Sequence, residues 1–67
     1  MKNISATDIE NVTKALHSSQ FLVSELQTLV KSENVLLSEL AYRELANAAA
    51  TRTNLERLVS LLNEQNG

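Results

Sequence analysis

The chain has no cysteine, no proline and a single glycine, Gly67, at its last position. Without cysteine, neither a disulfide nor a thiolate zinc site is open to it. The lone histidine, His17, cannot anchor a histidine-based metal site, so no metal and no cofactor is expected. Aromatics are reduced to Phe21 and Tyr42, too few for base-stacking platforms. No apolar run exceeds three residues, Val35-Leu36-Leu37 being typical. A membrane-spanning helix needs about 20, so no membrane partner is expected. Positive charge is not concentrated either. Lys2, Lys14, Lys31, Arg43, Arg52 and Arg57 are spread among eight acids for a net charge of -2. Nucleic-acid binders gather positive charge on one face, so no nucleic-acid partner is expected.

Met1-Lys2-Asn3-Ile4-Ser5 opens no apolar segment of the kind that begins a secretion signal. Together with the missing cysteines, this makes a soluble, cytoplasmic protein the expectation. The sequons at Asn3 and Asn11 then read as chance matches. Sixty-seven residues amount to one domain at most. A chain this short buries only about 60% of its unfolded surface. Small folds recover stability through disulfides, metals or association, and association is the route left.

What the chain does contain is helix-forming residues, with no strong breaker before Gly67. Ser5 is placed to cap a helix, with Asp8 three residues on and Ile4 and Ile9 at the positions of a hydrophobic staple. Thr7 with Glu10 offers a competing start. From there Ile9, Val12, Leu16, Val23, Leu26 and Val30 alternate at intervals of three and four, with Ser19 in the one polar place. That is heptad spacing, which lines all of them along one stripe. Leu22, Leu29, Leu36 and Leu40 extend a second, adjacent stripe. In the other half, Leu45, Ala48, Arg52, Leu55, Val59 and Leu62 repeat the alternation, with Leu58 and Leu61 alongside. Glu10–Lys14 and Glu39–Arg43 are favourable i,i+4 pairs. The polar end, Asn63 to Gly67, is expected to fray.

The fold class that follows is all-α: an antiparallel two-helix hairpin, coiled-coil-like, packed in a dimer or heterocomplex. Helix 1 is expected over about 6–31, a turn over about 32–38 and helix 2 over about 39–64. Lys31-Ser32-Glu33-Asn34 is the leading turn, with Ser32 or Asn34 as a cap. Ser38-Glu39 is a rival hinge, and an unbroken helix of about 90 Å is the third arrangement. A turn near residue 35 would pair Leu62 with Ile9, Val59 with Val12, Leu55 with Leu16 and Ala48 with Leu22. The alanines at 46 and 48–50 would then face Phe21 and Leu22.

No catalytic constellation is present. His17 has no cysteine nearby and cannot face its neighbours Ser18 and Ser19 on a helix. Glu33 and Glu39 read as solvated carboxylates, and there is no Gly-rich phosphate loop. No enzymatic activity is expected. The candidate site is a protein-binding surface of Phe21, Leu22, Leu29, Leu36, Leu40 and Tyr42. Phe21 has a competing role filling the hairpin core opposite the alanines, and the leucine stripe could complete that same core. Arg52 either reaches a partner carboxylate or packs its stem and sends its head to water. A hairpin has only one internal seam, so a wide apolar face leaves surface uncovered. Covering about 300 Å² would be worth roughly 7 kcal/mol before association costs.

From Leu26 to Leu62, the segment LQTLVKSENVLLSELAYRELANAAATRTNLERLVSLL resembles the flagellar export chaperone family. The shared features are leucines every three to four residues, Glu33 before the turn, and a helix with alanine and basic positions leading to L-x-x-L. In length and helix count the chain is also similar to the small co-chaperones of type III secretion needle subunits. The resemblance implies helix-in-groove binding of an export substrate's amphipathic helix. Two other protein-binding roles compete with it: an antirepressor-type regulator that sequesters a transcription factor, and a self-assembling coiled-coil module.

Overall fold

A computed structural model describes residues 5–66, with side chains through residue 64. Helix α1 spans Ala6–Val30 and helix α2 spans Val35–Asn66, and the two pack against each other as an all-α hairpin. Its extents are 50 × 15 × 13 Å. A 32-residue helix is about 48 Å long, so the long axis is one helix length and the other two are one or two helices wide.

Helix α1 begins where the serine cap was expected. Ser5 is extended (φ -73°, ψ 154°), and its Oγ accepts from the Asp8 N–H at 3.0 Å. Thr7, the competing start, already lies inside the helix. The Ile4 half of the expected staple lies outside the described residues. Glu10 and Lys14 form an ion pair at 3.7 Å with both side chains well exposed, worth a few tenths of a kcal/mol. Among the described residues it is the only one, so Glu39 and Arg43 do not close theirs.

The turn is tighter and earlier than the 32–38 span expected. Lys31 and Ser32 donate their N–H groups back to Thr28 O (3.1 Å) and Leu29 O (2.9 Å), closing the last turn of α1. The Asn34 N–H then bonds Ser32 Oγ at 3.0 Å, and Asn34 Oδ1 accepts from the Leu37 N–H at 3.0 Å. Asn34 therefore caps α2, which starts at Val35 rather than near residue 39. Ser38, the rival hinge, is a fastener instead. Its Oγ donates to Val30 O at 2.6 Å and satisfies a terminal carbonyl of α1 from the first turn of α2. The chain is thus neither hinged at Ser38-Glu39 nor one continuous rod. At the far end, α2 continues to Asn66, through the segment expected to fray, since no residue before Gly67 breaks a helix.

Moving the turn moves the register. Centred between Ser32 and Glu33, it brings level those residues whose numbers add to about 65, not 70. Leu55 therefore comes level with Ile9 and Glu10, Ala48 with Leu16 and His17, and Val59 with Ala6. The expected pairs Leu62–Ile9, Val59–Val12, Leu55–Leu16 and Ala48–Leu22 are each displaced by more than one helical turn.

The two stripes themselves form the seam. Ile9, Val12, Leu16, Ser19, Val23, Leu26 and Val30 on α1 are buried or half-buried. On α2 the same holds for Leu45, Ala48, Arg52, Leu55, Val59 and Leu62, extended toward the turn by Ser38 and Ala41. The most buried side chains are Ser19, Val23, Ala41 and Ala48. Three of the four are small, as expected where two helix backbones approach closely. Ser19 Oγ donates to Leu16 O at 2.7 Å, so the polar place in the stripe is satisfied within its own helix.

Replacing Asn34 with Ala removes the cap that positions α2 and should cost about 1 kcal/mol. For a chain of this size that lowers the melting midpoint by about 4–8 °C at fixed protein concentration. An unchanged midpoint by circular dichroism would show that Asn34 does not set the start of α2.

Candidate functional site

With the seam as heptad positions a and d, every other position acquires a place on the surface. In an antiparallel pair one helix runs reversed, so its positions circulate in the opposite sense when both are viewed from one end. Positions g and c of both helices therefore fall on one flank, and e and b on the other. Leu22 and Leu29 occupy g positions of α1. On α2, Leu37 and Leu58 occupy g, and Leu40 and Leu61 occupy c. All six are exposed large apolar side chains, and they share a flank.

The six residues proposed from the sequence divide under this geometry. Leu22, Leu29 and Leu40 share that flank toward the turn, whereas Leu36 lies on the outer surface of α2. Tyr42, 67% exposed, takes an e position on the opposite flank. That flank is polar along α1, where Thr13, Gln20 and Gln27 hold the e positions. Phe21 lies on the outer surface of α1 and is 68% exposed, which removes the reading that it fills the core opposite the alanines. The reason is angular: Phe21 follows Ser19 by two positions, about 200° around the helix from the seam. Leu22 likewise does not complete the core, being 49% exposed.

Leu37, Leu58 and Leu61 were not proposed as site residues. They become visible once the turn is placed, because Leu37 and Leu40, and then Leu58 and Leu61, fall in one heptad phase of α2, with polar residues at the places between. With the hinge undecided, Leu37 had no helical position to assign.

Arg52 occupies the seam position expected for it, half-buried, and its Nε is buried with no hydrogen-bond partner. Its stem packs with the seam, and no carboxylate within the chain reaches its head among the described residues. His17, Ser18, Glu33 and Glu39 are all exposed. No group of three or more His, Cys, Asp and Glu capable of holding a metal occurs among the described residues. Nor is any described helix long and apolar enough to cross a membrane. Comparison of the chain with protein-family models, with curated proteins and with solved structures found no match.

A buried unpaired donor costs about 1–3 kcal/mol. Arg52→Met keeps an apolar stem of similar reach and removes that donor, so the melting midpoint should rise by several degrees with helicity unchanged. A fall in the midpoint on thermal denaturation would mean that the guanidinium makes a stabilising contact.

Proposed function

We propose that this hairpin is a protein-binding module, and that its leucine flank is covered by a helix of another polypeptide chain. The observation that carries the reading is the gathering of Leu22, Leu29, Leu37, Leu40, Leu58 and Leu61 on one side of a molecule with very little interior. Among the described residues only three apolar side chains are buried, Val23, Ala41 and Ala48, and none is fully enclosed. The hairpin has thus spent its one seam and still presents two exposed leucine clusters on one flank, Leu22, Leu29, Leu37 and Leu40 toward the turn and Leu58 and Leu61 toward the open end.

The energetics favour a covered state. Burying the exposed half of a leucine contributes about 1 kcal/mol, so six contribute about 6. The partner's own apolar face adds a comparable amount. Association costs about 4–15 kcal/mol, so the leucines supply the order of magnitude that a reversible complex needs. Shape fits as well. A shallow trough between two antiparallel helices takes the apolar face of a third helix, with anchors at i, i+3, i+4 and i+7. The specific form implied by the resemblance of Leu26–Leu62 to export chaperones is a hairpin that holds an amphipathic helix of an export substrate.

Titration with a synthetic amphipathic helix carrying leucines at that spacing, followed by methyl NMR, tests the reading. The methyl signals of Leu22, Leu29 and Leu40 should shift, while those of Val12 and Leu16 in the seam should stay. Leu29→Asp should abolish the response and leave the helical circular dichroism intact. A single-copy hairpin whose leucine methyls ignore the peptide would overturn the proposal.

A further inference from the structure

Helix α2 carries a second periodic stripe that the hairpin leaves exposed along its whole length. It consists of Leu37, Leu40, Glu44, Asn47, Thr51, Asn54, Leu58 and Leu61, every one exposed. The intervals run three, four, three, four, three, four, three. The pattern is also a palindrome in chemistry: two leucines, four polar residues, two leucines, centred on residue 49.

We propose that the occupant of this stripe is a second copy of the chain, α2 against α2, antiparallel, in a dimer with two-fold symmetry. The proposal rests on the protein-binding reading of the leucine flank and adds the partner and the register. In a two-fold interface, residue i meets residue j and j meets i. Pairing positions whose numbers add to about 98 sets Leu37 opposite Leu61 and Leu40 opposite Leu58, at both ends of the interface. At its middle, Glu44 faces Asn54 and Asn47 faces Thr51, so each acceptor meets an amide or hydroxyl donor. The polar middle fixes register, as a polar residue inside an apolar seam does in coiled coils. A parallel pairing would instead set Glu44 against Glu44, two like charges in contact.

Area and length agree with this arrangement. Residue 49 lies about midway between the turn and the open end of the hairpin, so two copies docked about it overlap along their whole length. A flank of about 50 by 15 Å presents roughly the 800 Å² that each partner contributes to a standard interface. Leu22 and Leu29, beside Leu40 and Leu37, widen the apolar ground onto which the other copy's Leu58 and Leu61 arrive.

The chain has no cysteine of its own, so introduced thiols report pairing cleanly. Leu40→Cys and Leu58→Cys chains are prepared separately, checked for helicity, and oxidised alone and as an equimolar mixture. A disulfide-linked pair should form in the mixture and not from either variant alone. Sedimentation equilibrium of the unmodified chain should give a dimer, and Leu58→Asp should raise its dissociation constant about tenfold or more. Self-linking of Leu40→Cys without linkage in the mixture would overturn the register. A single copy whose leucine methyls still answer the amphipathic peptide would overturn the dimer and leave the protein-binding reading standing. A single copy with no such answer would overturn both.

Discussion

Two helices can bury only one seam between them, and everything else about this chain follows from that constraint. A helix has a full circumference, and one neighbour covers about a third of it. The seam residues at intervals of three and four are the part so covered, and even these are mostly half-buried. A larger domain would close a third or fourth helix over the remaining leucines. In this hairpin the flank leucines stay exposed.

The seam is narrow at its middle, and that has a structural consequence. Ser19, Ala41 and Ala48 let the backbones come together but contribute little apolar area of their own. Local features add to what the seam contributes: the Ser5 and Asn34 caps, and the Ser38–Val30 fastener that joins the helices across the turn. These short contacts decide where the turn sits. The turn in turn decides which leucines share a flank, so a few polar hydrogen bonds set the geometry of the apolar surface.

Much of this was legible in the residues. The stripe from Ile9 to Val30 and the stripe from Leu45 to Leu62 are the seam, because periodicity near 3.5 admits only one buried side per helix. Ser5 was readable as a cap because serine three residues before an acid is a local signal that needs no tertiary partner. The register was not readable. Moving the turn centre by two or three residues displaces every cross-helix pair by about twice that, and both Lys31–Asn34 and Ser38-Glu39 offered suitable polar residues. All six residues expected at the surface are exposed, but which side of the hairpin each one takes was not readable. Phe21 and Tyr42 were judged by residue type, whereas their angles about the helix axis send one outward and the other to the polar flank.

The order of residues alone determined that the chain is helical, that it has one apolar stripe per helix, and that it holds more leucine than one seam can enclose. These are properties of local periodicity and composition, which act within a helical turn or two. Only the tertiary structure decided where the chain reverses, and with it which stripe positions lie level and which leucines stand together. Reversal couples residues far apart in sequence, and its position depends on hydrogen bonds such as Ser38 to Val30 that exist only once both helices are in place.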